Sequence, residues 1–142
     1  MLGCTLRAHR PSILALALTA CGGGAPPVEL TIDGAPAIAT ALGTLVLHGQ
    51  TFIPDGSQCP PSSEFIVIGS YGPASITTRN AATGSEGSGF LQTPWVCNSG
   101  SNEASWASHP ITLAPGVNTI TVTMRDARRS SGATVTVTRS GG

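Results

Sequence analysis

The clearest pattern in the chain is an alternation near its end. Over residues 117–125 (VNTITVTMR), Ile120, Val122 and Met124 fall on one side, and Thr119, Thr121 and Thr123 on the other. A period of two with β-branched residues predicts a half-buried strand. Residues 132–139 (GATVTVTR) repeat the pattern with Ala133, Val135 and Val137 inward. The link over 126–131 is short and polar, so the two strands are predicted to pair as a hairpin. Residues 106–113 read as a strand before them, ended by the turn Ala114-Pro115-Gly116.

The first half carries similar signals. Residues 28–33 read as an edge strand, and 43–52 as a strand with Leu45 and Leu47 pointing one way. Residues 54–63 (PDGSQCPPSS) read as a loop, 65–69 and 74–80 as strands, Thr83-Gly84 as a turn and 87–92 as the returning strand. Seven or eight short strands with frequent turn signals predict an all-β antiparallel β-sandwich. Composition agrees: 18 Gly and 11 Pro among 142 residues, with 10% charged, disfavour long helices. The length suits one domain.

Residues 1–20 break the pattern. A short positive stretch with Arg7 and Arg10 precedes an uncharged apolar run over 12–20. The run is too short to span a bilayer, which takes about 20 apolar residues. The layout is that of a secretory signal sequence. It ends Leu18-Thr19-Ala20-Cys21, which resembles the lipobox of bacterial lipoproteins. That resemblance implies cleavage before Cys21 and diacylation of its thiol. Two acyl chains on one residue suffice for stable membrane attachment, at roughly 0.8 kcal/mol per buried methylene. The expected organisation is a signal peptide over 1–20, a lipidated Cys21 with a Gly/Pro tether over 21–27, and a domain over 28–142. Gly22 stands where Asp would resemble an inner-membrane retention signal, so an outer membrane is expected if the cell has one.

With Cys4 in the leader and Cys21 lipidated, Cys59 and Cys97 remain as an even pair in an oxidising compartment. A disulfide between them is the simplest reading. A two-cysteine metal site is the rival, without the CxxC spacing or nearby histidines that zinc prefers.

Catalytic and nucleic-acid signatures are sparse. The mature part has five Arg against seven acids. Arg125, Arg128 and Arg129 are its one local basic cluster and read as a solvated turn, so no nucleic-acid partner is expected. His48 and His109 read as surface or edge residues, and no G-x-S-x-G elbow is present. The acids are scattered, and Asp126 alone does not make a calcium loop. No cofactor is expected. Tyr71 in Gly69-Ser-Tyr-Gly-Pro73 and Trp95 beside Cys97 are the candidate ligand contacts, because aromatics on loops can stack on sugars or anchor a partner. Packing over the disulfide is the favoured reading of Trp95, and core packing that of Trp106.

The stretch from Trp106 through Pro110-Ile-Thr-Leu-Ala-Pro-Gly-Val-Asn118-Thr-Ile-Thr-Val-Thr123 to Arg125-Asp126-Ala127 resembles the closing strands of bacterial immunoglobulin-like domains. It is similar to glucodextranase-B-like extracellular modules. Asn80-Ala81-Ala82-Thr83-Gly84 and Leu45-Val46-Leu47-x-Gly49 resemble further parts of that pattern. The family's corner usually continues with Gly-Asn, where this chain has Arg128-Arg129. The resemblance implies an immunoglobulin-like fold and a non-catalytic structural or binding role. The expectation is therefore a non-enzymatic, lipid-anchored module of the cell envelope, meeting the membrane through Cys21 and an envelope protein or glycan through its surface. A glycan-binding accessory module is the alternative, and a small envelope hydrolase a remote one.

Overall fold

The structure, a computed structural model, describes residues 29–58, 70–92 and 103–141. Within them lie nine strands and no helix: β1 (Ala37–Thr40), β2 (Thr44–Leu45), β3 (His48–Phe52), β4 (Ala74–Asn80), β5 (Glu86–Leu91), β6 (Glu103–Ser108), β7 (Ile111–Thr112), β8 (Gly116–Asp126) and β9 (Ser130–Arg139). The fold is all-β, as the alternation predicts.

The predicted hairpin is the spine of the molecule. β8 and β9 pair antiparallel from Gly116↔Arg139 to Arg125↔Ser130. Ile120, Val122, Met124, Val135 and Val137 are wholly buried on its inner face, and Ala133 packs beside them. Burying each larger side chain stabilises the fold by about 1.5–3 kcal/mol. Thr119, Thr121 and Thr136 stand on the outer face, as the period of two requires.

Seven strands follow the order β1-β9-β8-β4-β5-β6-β3, and β2 pairs separately with β7. β4 lies antiparallel to β8 from Ala74↔Asp126 to Asn80↔Ile120. Only three residue pairs join β5 to β6, Gly89↔Ser108 to Leu91↔Trp106. Beyond that short seam the sheet curls over, and β6 and β3, with Leu47 just before β3, lay Trp106, Phe52 and Leu47 into the same core as the hairpin. The result is sandwich-like.

Two predicted strands are each split in two. The segment 43–52 becomes β2 and β3, and 106–113 lies in β6 and β7. The breaks face each other. Leu47 N donates to Ser108 Oγ (2.9 Å), and Ser108 N to Leu47 O (2.8 Å). His109-Pro110 then interrupts the ladder, because proline has no N–H to donate. The two segments thus form one bent ladder, β3 with β6 before the corner and β2 with β7 after it.

The start of the domain also differs from expectation. Residues 31–33 run beside β3 through only two backbone bonds, Thr31 N to Gln50 O (2.8 Å) and Asp33 N to His48 O (2.9 Å), and do not form a regular strand. The chain then turns through the cis Ala35–Pro36 bond and pairs as β1, parallel to β9. That strand had no signature in the alternation. The strand expected over 65–69 lies outside the described residues.

Trp106 is fully buried, and its Nε1 donates to the Thr31 carbonyl at 3.1 Å. A buried indole N–H needs such a partner. Thr51, also fully buried, is the contrast: its hydroxyl has no partner among the described residues. Burying an unsatisfied hydroxyl is unfavourable. Thr51→Val is therefore expected to raise stability by about 1 kcal/mol, read as a higher urea midpoint at unchanged slope. A lower midpoint would mean that the hydroxyl has a partner.

Candidate functional site

Strand directions bring three connections to one end of the molecule. β3 ends at Phe52 and β4 begins at Ala74; β5 ends at Leu91 and β6 begins at Glu103; β8 ends at Asp126 and β9 begins at Ser130. The antiparallel pairings put all six termini at the same end. The described parts of those connections, residues 53–58, 70–73, 92 and 127–129, therefore sit together there. Loops held at one end of a rigid sheet frame are where binding function concentrates.

Asp126 organises this end. Its side chain has no exposed surface. Oδ1 accepts from Arg128 N (2.8 Å) and Arg129 N (2.6 Å), and Oδ2 from Asp55 N (2.8 Å) and Arg129 Nη2 (2.9 Å). The first pair closes the hairpin turn, so a tight turn forms there without a glycine. The bond to Asp55 ties that turn to the segment after β3. Arg129 extends the tie: Nη2 donates to Ile53 O at 2.6 Å, and its guanidinium lies 4.1 Å from the Phe52 ring centroid. Arg128 pairs with Asp55 at 3.2 Å, but its side chain is 77% exposed, so that pair adds little. The basic cluster read as a solvated turn is thus partly an internal brace.

Burial alone pushes the Asp126 carboxyl up. The backbone N–H groups of Arg128, Asp55 and Arg129, with the Arg129 side chain, outweigh it and hold the carboxyl well below the usual carboxylate range. A group depressed in the folded state stabilises the fold above its unfolded value, near 4, and that stability drains away as pH falls below it. Unfolding free energy is expected to drop between about pH 5 and pH 2, and Asp126→Asn to flatten that slope. An equal slope in the variant would show that other acids carry it. Chemically, an acceptor already saturated with donors is a strut rather than a base.

Tyr71 is the one candidate ligand contact among the described residues. It is half-buried, which pushes its phenol up, and its hydroxyl donates to Gln92 O at 3.2 Å. The bond ties the root of one long connection, closed by the Gln58–Ser70 bridge, to the root of another. Trp95, Cys59, Cys97 and the lipid-attachment residue Cys21 lie outside the described residues. The histidines come to separate settings. His48 is exposed on β3, and the His109 ring lies 5.4 Å from that of Phe90.

One surface went unread in the sequence. On the outer sheet face, Thr77, Arg79, Glu86, Thr121 and Thr123 line a shallow depression of about 440 Å³. Its only sequence signal is the run of alternate threonines, which reads equally well as ordinary strand surface. Its hydroxyls, guanidinium and carboxylate offer hydrogen bonds in both senses. Compared with models of known protein families and with curated proteins, the chain matches none.

Proposed function

We propose that this chain is a lipid-anchored, non-enzymatic module of the cell envelope with an immunoglobulin-like fold, acting through contacts made by its loop-bearing end. The observation that carries the anchor is Leu18-Thr19-Ala20-Cys21 behind a charged and then apolar leader. Support for the immunoglobulin-like reading comes from which strands are neighbours. In that fold the first two strands and the fifth share one sheet, and the third, sixth and seventh the other. Here residues 31–33, β3 and β6 are neighbours, and so are β4, β8 and β9, with β5 as an added strand beside β4. Support for a binding role comes from the roots of three connections gathered at one end of the sheet frame, braced by Asp126 and Tyr71.

A disulfide between Cys59 and Cys97 fits the same end. Cys59 follows Gln58, and Cys97 follows Gln92 by five residues, a reach of up to about 17 Å. The roots of the two connections are already tied by Tyr71 and Gln92. Glycan binding is the second reading, favoured by the polar depression around Thr77, Arg79 and Glu86; a glycan array probed with residues 22–142 separates the two.

The anchor is tested directly. Cys21→Ala is expected to abolish fatty-acid labelling in cells and leave the leader uncut. Intact-mass spectrometry of the wild-type protein without reduction is expected to find a diacylglyceryl mass on the first residue and no free thiol. Labelling that survives the substitution would sink the proposal.

A further inference from the structure

On the outer face of the sheet, two opposite charges stand across from each other without forming an ion pair. Ile76, Thr78 and Asn80 of β4 are buried, so Thr77 and Arg79 between them point outward. By the same period Thr121 and Thr123 stand outward on β8, and Glu86, Ser88 and Phe90 on β5. Arg79 lies between Thr121 and Glu86, and Thr77 between Thr123 and Ser88, on strands about 4.8 Å apart. The next pair along is joined through its backbone, Asn80 N to Ser85 O at 2.9 Å. Arg79 and Glu86 therefore occupy a position without backbone bonds between them, where facing side chains come closest. Opposite charges so placed attract each other. Yet neither makes an ion pair with any described residue. Both instead border the depression that Thr77, Thr121 and Thr123 also line.

The donor set limits what can sit there. A guanidinium only donates hydrogen bonds, a carboxylate only accepts them, and a threonine hydroxyl does both. A ligand among them needs donors and acceptors close together, and a net charge of either sign would oppose one of the two ions. Arg125 shares this face of β8 but does not line the depression. Neighbouring hydroxyls on an uncharged sugar meet these terms. Phe90 adds an apolar surface. It is 48% exposed, the one exposed Phe, Tyr or Trp among the described residues, and the His109 ring lies 5.4 Å from it. It follows Glu86 by four residues on the same strand face, about 13 Å away, a span longer than one sugar ring. β4, β5 and β8 each have a strand on both sides, so the backbone that carries these groups is fixed before a ligand arrives. We propose that this face binds an uncharged oligosaccharide, whose hydroxyls bond Arg79, Glu86 and the threonines while the C–H face of a further ring lies on Phe90. The proposal rests on the glycan-binding reading and deepens it by naming the site and the class of glycan.

The test applies the full lipidated chain, held in lipid nanodiscs, to an array of neutral, acidic and cationic amino-sugar oligosaccharides. The neutral oligosaccharide that binds most tightly is then titrated by calorimetry. Arg79→Met, Glu86→Gln and Phe90→Ala are each expected to weaken that binding about ten-fold or more. All three side chains are exposed, so the unfolding midpoints should stay near that of the wild type. Thr138→Ala, on the same face of β9 but outside the depression, is expected to leave affinity unchanged. Neutral-glycan binding that survives all three site substitutions overturns the site and leaves glycan binding standing. Preference for an acidic or cationic glycan overturns the uncharged class. A wild-type protein that binds nothing on the array overturns the site and the glycan-binding reading together.

Discussion

Gly49→Ala is expected to lower stability by about 4 kcal/mol, the sum of overpacking and a stranded donor. Gly49 stands opposite Trp106 in the β3–β6 ladder. A Cβ there would fall on the Thr31 carbonyl oxygen and come within 2.9 Å of Trp106 Nε1. The side chain would displace the carbonyl that the indole N–H needs, and residues 31–33 would lose their seat on β3. Those neighbours cannot yield cheaply, because one is backbone and the other a fully buried ring. Chemical unfolding reads the loss. Gly132→Ala is the control, since a Cβ there would come no closer than 3.5 Å to Val122 O. It is expected to change stability by less than about 1 kcal/mol. Equal effects at the two positions would remove the steric account.

Asn118→Ala is expected to cost about 3 kcal/mol through unsatisfied buried groups. Asn118 has no exposed surface. Its Oδ1 accepts from Ala114 N and from Asn80 Nδ2, both at 2.9 Å. Its Nδ2 donates to Ala114 O (2.8 Å) and Gly116 O (3.1 Å). One amide thus folds the 114–118 arch onto itself and docks it on Asn80, which in turn donates to Thr112 O at 2.9 Å. Alanine would strand the Ala114 N–H and half of the Asn80 amide. Asn118→Asp keeps the acceptor but points a charge at two carbonyl oxygens, so it is expected to be the worse of the two. Thermal unfolding of both variants checks the order. If aspartate were tolerated better than alanine, the assigned amide orientation would be wrong.

These two positions mark where the sequence could and could not be read. Gly49 and Asn118 both lie in the stretches that resemble immunoglobulin-like modules, but the pattern gives no reason for them. The reason is a partner far along the chain: Thr31 and Trp106 for one, Asn80 for the other. Elements whose stability is local were legible. The hairpin of β8 and β9, and β4 over 74–80, follow from alternation alone. β1 was not, because a four-residue strand has too few positions to show a period and is selected by its parallel partner. The corner at Leu47 and Ser108 was hidden for a similar reason: only the mutual pairing of the two segments shows the bend. At the candidate site, Tyr71 was legible as an aromatic on a loop, while its burial and its bond to Gln92 needed the fold. Asp126 was legible as a lone acid and as part of the Arg125-Asp126-Ala127 resemblance, but its role as a brace was not, since its bond to Asp55 spans 71 residues.

The pairing of β1 with β9 also governs the order in which the chain can fold. Ala37 meets Thr136, so this contact closes a loop on the order of a hundred residues, and contacts so distant in sequence form slowly. The β8–β9 hairpin, by contrast, closes through three residues and can form early. Because synthesis runs from the N-terminus, β9 is made about a hundred residues after β1. Residues 37–40 therefore lack this partner until β9 has been synthesised, so their seat in the sheet is filled late.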